Sequence, residues 1–301
     1  MPLGGLSVPV PTLFAEDGSL DRAANARFGR SLCDAGVDHV FLLGSLGEFT
    51  IVEDEERSAL LASVIESLTG RSDAWVGCGS PSPARAVRYA REAEASGAAA
   101  IVAVAPYYLR PTDAEIARYY RRIREAVRLP LLAYNIPSKV GYALTPDLVH
   151  RLAAEGTLAG IKDTAGAIAS VTAFLTGAPS DWPVLPGDDI LAAEAIRRGA
   201  AGAVMGTANI VPRLAVELVR AARSGDRARA EELQGAVAAL AAVAASGPFP
   251  ATDKYLAQRA RGVTVGYRAP YGPLTDGERA SVDAAWSTVE ERLRPFLGGR
   301  P

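Results

Sequence analysis

Eight short apolar segments alternate with eight longer amphipathic segments along most of this 301-residue chain. We interpret the apolar segments as strands at residues 6–13, 39–43, 74–77, 99–105, 130–134, 158–162, 183–186 and 202–206. We interpret the amphipathic segments as helices at residues 21–35, 54–68, 83–95, 112–126, 146–154, 167–175, 190–198 and 212–222. Such alternation is typical of βαβ units with parallel strands. Eight units predict an α/β fold of the (β/α)8 TIM barrel type.

The remaining sequence predicts a second, helical part. Residues 1–224 are expected to form the barrel, and residues 225–301 a C-terminal helical extension packed on it. A doubly wound open sheet is the alternative fold. That fold usually places a glycine-rich phosphate loop after the first strand, whereas this chain has Phe14-Ala15-Glu16-Asp17 there.

Composition narrows the possible partners. The formal net charge is -2, so no basic surface indicates nucleic acid or an anionic membrane as partner. No apolar window reaches the ~20 residues that a membrane span needs. We therefore expect a cytoplasmic protein that binds neither nucleic acid nor membrane.

Lysine is rare in this chain and stands at an unusual position. Only three of the 32 basic residues are lysine: Lys139, Lys162 and Lys254. Lys162 ends the apolar run that starts at Leu158. An ammonium group that enters a barrel interior loses hydration and tends to become a neutral amine, which is a nucleophile toward carbonyl carbon. The alternative is a structural lysine whose side chain extends from the strand end to water.

Polar residues follow several predicted strands, and barrel enzymes carry their chemistry at these strand ends. Ser45 lies in a glycine turn after the second strand, Tyr108 follows the fourth, Tyr134 ends the fifth and Gly187 follows the seventh. Backbone amides and the hydroxyl of the glycine turn suit a small carboxylate. Together with Lys162, these residues predict one site at the C-terminal mouth of the barrel.

Five motifs resemble the dihydrodipicolinate synthase and N-acetylneuraminate lyase superfamily of class I, Schiff-base-forming aldolases. The turn Gly44-Ser45-Leu46-Gly47-Glu48 is similar to the family's G-[ST]-x-G-E motif, residues 134–137 to Y-N-x-P, and residues 161–163 to the strand that carries the imine lysine. Residues 186–189 and 204–209 resemble the last two strand ends of the family. The likeness covers nearly the whole chain and implies a barrel lyase.

The resemblance assigns catalytic roles to four residues. Lys162 would form a protonated imine with pyruvate, or with a 2-oxo acid that yields pyruvate. Tyr134 would act as the general acid and base. Ser45 would relay protons to Tyr134, and Tyr108 from a neighbouring subunit would complete that relay. The resemblance also implies a homo-oligomer, a dimer of dimers, and the reaction needs no cofactor.

Binding roles also follow from the resemblance. Gly44, Ser45 and Leu46 would hold the carboxylate of the 2-oxo acid. Gly187 and the carbonyl of Val204 would line the floor of the site. Lys139 stands in the loop after the Y-N-x-P motif and would contact the second substrate, an aldehyde.

The second substrate is the open question. The lysine-biosynthetic synthase carries a second hydroxyl residue where this chain has Leu46, and an arginine where it has Lys139. Lysine cannot reproduce the bidentate grip of arginine on a carboxylate. We therefore favour a 2-keto-3-deoxy sugar acid, or a similar 2-oxo acid, as substrate. The alternatives are 4-hydroxy-tetrahydrodipicolinate synthase, which condenses pyruvate with aspartate semialdehyde, and a non-catalytic barrel that binds 2-oxo acids.

A metal-dependent aldolase is not indicated. Such enzymes need a cluster of histidine and carboxylate ligands. The only histidines, His39 and His150, stand far apart in the pattern. No metal site is therefore predicted.

Overall fold

A computed structural model describes residues 3–68 and 70–297 of the chain. Its strands are β1 (Gly5–Pro9), β2 (His39–Leu42), β3 (Asp73–Gly77), β4 (Ala100–Val104), β5 (Leu131–Asn135), β6 (Gly160–Asp163), β7 (Val184–Pro186) and β8 (Gly202–Val204). All pairs are parallel, in the order β7-β6-β5-β4-β3-β2-β1-β8. A hydrogen bond of 3.1 Å from Ala201 N to Val184 O links the two ends of this order. The predicted TIM barrel is confirmed.

The helices surround this barrel. They are α1 (Arg22–Asp34), α2 (Asp54–Ser67), α3 (Pro83–Ala95), α4 (Asp113–Ala126), α5 (Pro137–Val140), α6 (Pro146–Ala154), α7 (Ile168–Leu175), α8 (Ala192–Arg197), α9 (Pro212–Ser224), α10 (Arg227–Ala244), α11 (Ala251–Arg261), α12 (Asp276–Ser287) and α13 (Glu290–Leu293). Short 3-10 turns cover Asp189–Leu191, Thr207–Asn209 and Arg294–Phe296. Side-chain caps define several helix starts: Ser82 accepts from Arg85 N, and Thr112 accepts from Glu115 N.

Some predicted boundaries were wrong. The first strand ends at Pro9 rather than Leu13, because Pro9 and Pro11 have no N–H to donate to a ladder. The short helix α5 was missed, since four residues are too few for a periodic pattern. It begins with Pro137 and ends at Val140, and Gly141 caps it with a φ of 89°, in the left-handed region common at helix ends.

The C-terminal helices pack against one side of the barrel. α10 contacts α9 and α8, and α11 contacts the turn that follows β8. The division at residue 224 stays a prediction. Met1, Pro2, Thr69 and residues 298–301, which fall in the two predicted ranges, lie outside the described residues. Within residues 3–68 and 70–297, no helix combines the length and apolarity that crossing a membrane requires. The cytoplasmic location stays a prediction.

The register of β5 and β6 places the side chains of Tyr134 and Lys162 next to each other. Tyr134 pairs with Lys162, and Asn135 pairs with Asp163. Both strands are buried along their whole length. Side chains alternate between the two faces of a strand, so Tyr134 and Lys162 share one face while Asn135 and Asp163 share the other.

Candidate active site

Lys162 lies inside the mouth of the barrel. The residue is only 5% exposed. The amine Nζ lies 4.0 Å from the centre of the Tyr134 ring and 5.2 Å from the centre of the Phe41 ring, which β2 contributes. The structural alternative, in which this lysine extends to water, does not hold. An amine enclosed by aromatic faces is positioned to attack a small carbonyl compound that enters the mouth.

Tyr134 joins the amine to a hydroxyl. Its phenol oxygen lies 3.3 Å from Ser45 Oγ, within hydrogen-bonding distance. Burial raises the pKa of Tyr134, but the charge on Lys162 and polar contacts with Ser45, Lys162 and Thr164 lower it. The resulting pKa lies below the ordinary value of 10.0. A phenol that ionises more readily is suited to exchange a proton with a reacting group.

The turn at residues 44–48 holds Ser45 in place. Leu46 is 5% exposed, and Thr12 Oγ1 donates a 2.6 Å hydrogen bond to Gly47 O. A side chain at Gly44 would place its Cβ 3.0 Å from the Phe41 ring. The turn therefore packs closely on the ring that also faces the amine of Lys162. Its predicted residues Gly44, Ser45 and Leu46 are all at the site.

Gly187 forms one wall beside the amine. A Cβ at this position would lie 2.7 Å from Lys162 Cε and 2.2 Å from Thr164 Oγ1. Only glycine leaves the lysine side chain in its observed position. Thr164 Oγ1 itself is buried, and its polar contact is with the phenol of Tyr134. A hydroxyl beside this amine and phenol has lone pairs and a proton with which it can also bond to a substrate.

Val204 ends β8 on the far side of the site and is 2% exposed. The segment that follows is fixed by Asp189, whose carboxylate accepts hydrogen bonds from Gly206 N at 2.9 Å and Thr207 N at 2.7 Å. This contact joins the ends of β7 and β8. Gly187 and Val204, predicted to line the floor of the site, thus lie at two strand ends that this contact joins.

A cleft of about 380 Å³ opens next to Ser45. Its lining comes from the barrel and from the loops of the C-terminal extension, and comprises Ser45, Glu48, Phe49, Thr50, Val104, Tyr107, Ile136, Lys139, Val140, Phe249, Pro250 and Tyr271. Lys139 belongs to α5, and its Nζ lies 5.1 Å from the centre of the Phe249 ring. The cleft is large enough for a small aldehyde, and the ammonium group of Lys139 lies in its lining.

Tyr108 is the one predicted catalytic residue that the chain does not bring to the site. It is 93% exposed and adopts a φ of 78°, in the left-handed region that an aromatic residue rarely occupies. The next residue, Leu109, is 76% exposed. The neighbouring Tyr107 lines the cleft instead and packs edge-on against Phe49.

Several residues at the site were missed in the sequence. Thr164 is one of them: α7 begins only at Ile168 after Ala167, so the Thr164 hydroxyl does not cap that helix and lies at the site instead. The strict alternation of β2 could have indicated the inward position of Phe41. Phe249 and Tyr271 could not have been found, because they reach the cleft from loops far along the chain. In the described part of the chain, no group of three or more His, Cys, Asp or Glu side chains could hold a metal ion.

The fold and this site define a barrel enzyme with a buried amine, a phenol and a hydroxyl at the C-terminal ends of its strands. Residues 2–289 match the model of the dihydrodipicolinate synthetase family. The chain belongs to this family, and the predicted lyase class is confirmed. The recognised superfamily is thereby confirmed as well.

Individual relatives include both branches that the sequence left open. The probable 2-dehydro-3-deoxy-D-pentonate aldolase YjhH of Escherichia coli is 36% identical over 259 residues, which are 84% of this chain and 86% of that protein. A 4-hydroxy-tetrahydrodipicolinate synthase of Aromatoleum aromaticum is 35% identical over 282 residues, 92% of this chain and 95% of that protein. The crystal structure of E. coli YagE in complex with pyruvate superposes with a TM-score of 0.90 at 29% identity, covering 96% of this chain and 99% of YagE.

Proposed function

We propose that this chain is a pyruvate-dependent class I aldolase that forms a Schiff base at Lys162. One observation carries the proposal: Lys162 Nζ lies against the Tyr134 ring, and the phenol of Tyr134 contacts Ser45 Oγ. This arrangement supplies a nucleophile, an acid and base, and a proton relay within one buried site. The structure of YagE, a family member, contains pyruvate, which supports the same first substrate here.

The reaction begins with attack of the uncharged Lys162 amine on the keto carbon. Tyr134 protonates the hydroxyl of the resulting carbinolamine, which leaves as water, so the products are a protonated imine and the phenolate of Tyr134. In the cleavage direction, Tyr134 takes the proton from the hydroxyl on C4 of the bound 2-oxo acid, the C3–C4 bond breaks, and its electron pair moves into the imine to give an enamine. The aldehyde leaves. Protonation of C3 and addition of water then release pyruvate and the free amine.

Binding of the 2-oxo acid depends on the strand ends. The turn residues Gly44, Ser45 and Leu46 offer backbone amides to the carboxylate, which is the favoured partner of such a turn. Gly187 leaves room beside Lys162 Cε, and Val204 closes the floor. The carboxylate would then lie next to Ser45 while the keto carbon faces the amine.

We propose a 2-keto-3-deoxy sugar acid as the substrate to be cleaved. The buried hydroxyl of Thr164 beside Lys162 and Tyr134 supports this choice, because it can bond to a hydroxyl of a sugar chain. Thr50 and Tyr107 add polar groups to the lining of the cleft. The names of YjhH and YagE agree with this substrate class.

The synthase reaction is the second candidate. Its support is Lys139, the cation of the cleft, which could contact the carboxylate of aspartate semialdehyde. Close relatives named as synthases support it as well. A lysine provides a point charge rather than the two parallel hydrogen bonds of arginine, so this candidate ranks second.

We further propose that the chain assembles as a dimer of dimers and that Tyr108 acts in the site of a neighbouring subunit. An exposed tyrosine in a left-handed conformation is maintained only where surrounding structure favours it. A partner subunit would provide that surrounding structure and cover Leu109.

Reductive trapping tests the proposed function. Borohydride added with pyruvate should attach one pyruvate-derived group to Lys162, and peptide mass spectrometry locates it. Lys162→Ala should lose the adduct and all aldolase activity, while Lys139→Ala should retain the adduct. Activity of the native protein would then be compared between 2-keto-3-deoxygluconate cleavage and condensation of pyruvate with aspartate semialdehyde. A wild-type chain that yields no adduct would overturn the proposal.

A further inference from the structure

A buried ion pair connects the C-terminal extension to the 44–48 turn. Lys254 of α11 and Glu48 are in direct ionic contact, and their side chains are 0% and 1% exposed. Lys254 is a rare residue in a chain with only three lysines. The catalytic scheme uses neither charge, so their presence needs a separate explanation.

Stability alone is a weak explanation for this pair. Removing two charges from water is costly, and well-packed apolar residues of similar volume often replace a buried ion pair without loss of stability. Burial raises the pKa of Glu48 and lowers the pKa of Lys254, although each partner's charge opposes the shift. An ion pair can instead fix the relative position of the two segments that carry Glu48 and Lys254, because its charged groups must stay in contact.

Glu48 belongs to the turn at the proposed active site, and Lys254 belongs to the C-terminal extension. Glu48 is the last residue of the turn and adopts a φ of 51°, a left-handed conformation that glutamate seldom takes. Its backbone N donates a 3.1 Å hydrogen bond to Ser45 O. A change in the position of Glu48 would therefore be transmitted directly to Ser45, whose Oγ contacts Tyr134.

Lys254 is in turn held by several segments. Its Nζ donates a 3.0 Å hydrogen bond to Gly266 O, and the rings of Phe14 and Tyr267 have their centres 5.1 and 5.3 Å from the ammonium. A Cβ at Gly266 would lie 1.7 Å from Phe14 O, so the segment at Gly266 packs directly on the loop after β1. The cation thus has a rigid surrounding from which it can fix Glu48.

We propose that Glu48 and Lys254 are positioning residues for the proposed aldolase reaction: their ion pair holds the 44–48 turn so that Ser45 meets Tyr134 and the turn amides meet the substrate carboxylate. This inference rests on the proposed function. It also gives the extension a role in catalysis, because α11 follows Phe249 and Pro250 at the cleft and delivers Lys254 to the turn.

The test compares single and double substitutions. Glu48→Gln keeps the shape of the side chain and Lys254→Met keeps its length, while the double variant E48Q/K254M removes both charges. Each single variant should raise KM for pyruvate and lower kcat, with a combined loss of about 10- to 100-fold in kcat/KM, as expected when a reacting group is slightly misplaced. Lys254→Arg keeps the charge, so its KM should lie closer to the wild-type value than that of Lys254→Met.

The double variant separates positioning from stability. We expect it to regain much of the Tm lost in the single variants, since no unpaired charge remains, yet to keep the raised KM. A loss of folded protein lowers the apparent kcat but leaves KM unchanged. Wild-type KM in the double variant would overturn the inference, and if that variant does not fold, wild-type KM in the isosteric Glu48→Gln would do so.

Arg261→Met provides the matched control. Arg261 lies on the same helix and anchors it to the barrel through Asn209 O, at 2.7 Å, and through Ser31 Oγ. Its hydrogen bonds go to Asn209 and Ser31 rather than to the 44–48 turn, so its loss should lower Tm and leave KM for pyruvate unchanged. Borohydride trapping of the wild-type chain separates the two proposals. If the wild type is trapped but E48Q has an unchanged KM, only the positioning role is wrong. If the wild type is not trapped, both proposals are wrong.

Discussion

The side-chain amide of Asn135 donates a 2.7 Å hydrogen bond to Asp163 Oδ1, directly behind the pair formed by Tyr134 and Lys162. Asn135 Oδ1 also accepts from Leu144 N at 2.9 Å. The bond joins β5 to β6 at the residues next to the proposed catalytic pair. It therefore fixes the relative position of the phenol and the amine from outside the barrel.

Replacing Asp163 should affect both stability and activity. Asp163→Ala leaves the buried amide of Asn135 without an acceptor, and we expect a loss of about 1–3 kcal/mol in the free energy of unfolding. Asp163→Asn retains an acceptor oxygen and should lose less. Urea unfolding and kcat/KM measure the two effects. An alanine variant with wild-type stability and activity would show that the bond to Asn135 does not matter.

Tyr134→Phe should separate imine formation from turnover. The ring that faces Lys162 Nζ at 4.0 Å remains, so borohydride should still trap pyruvate on Lys162. Loss of the phenol should lower kcat by about 100-fold or more, the usual effect of removing an acid and base. The pKa of Tyr134 lies below its ordinary value of 10.0, so the limb of the pH profile that reports it should lie below pH 10 and vanish in the variant.

Ser45→Ala is the companion variant for Tyr134. It removes the hydroxyl 3.3 Å from the phenol but leaves the phenol itself. We expect a smaller fall in kcat than in Tyr134→Phe, and no further fall when the two substitutions are combined, because both act on one relay. Fully additive losses would show that Ser45 and Tyr134 act separately.

The barrel could be predicted from the sequence because strands and helices have different hydrophobic periods, and the two patterns alternate eight times along the chain. The site was harder to predict. Residues at strand ends, such as Lys162 and Tyr134, could be placed because parallel strands bring their C-terminal ends to one face. Lys254 could not be placed, since its partner Glu48 lies about two hundred residues earlier and no local pattern encodes that contact. Contacts from the extension depend on tertiary packing alone.

Gly187→Ala should impair the site without disturbing the fold elsewhere. The new Cβ would lie 2.7 Å from Lys162 Cε and 2.2 Å from Thr164 Oγ1, so the lysine must move. We expect kcat/KM to fall by about 100-fold, as for a reacting group displaced by about 1 Å. Gly206→Ala is the control, since a Cβ there meets no atom within 4 Å. Equal activity of the two variants would contradict the packing argument.

Complementation tests the proposed role of Tyr108. Tyr108→Phe should lower kcat in the homo-oligomer, and Lys162→Ala should abolish activity. In a mixed dimer, the Tyr108→Phe subunit keeps Lys162 and would receive an intact Tyr108 from its partner. Random mixing should therefore restore about one quarter of wild-type activity, because half the dimers are mixed and each has one complete site. Mixtures no more active than Tyr108→Phe alone would place the residue outside its neighbour's site.

Asp253 should make stability fall as the pH rises. Desolvation of its half-buried side chain raises its pKa from 3.8 to about 7, and the carboxylate of Asp189 contributes to the increase. Between these values the folded state holds a proton that the unfolded chain has lost, so this stabilisation is complete below pH 3.8 and is lost as the pH rises through about 7. Asp253→Asn removes this titration. Its free energy of unfolding relative to wild type should therefore rise by about 2–4 kcal/mol between pH 4 and pH 8. Thermal unfolding at the two pH values measures this, and a pH-independent difference for Asp253→Asn would contradict the assignment.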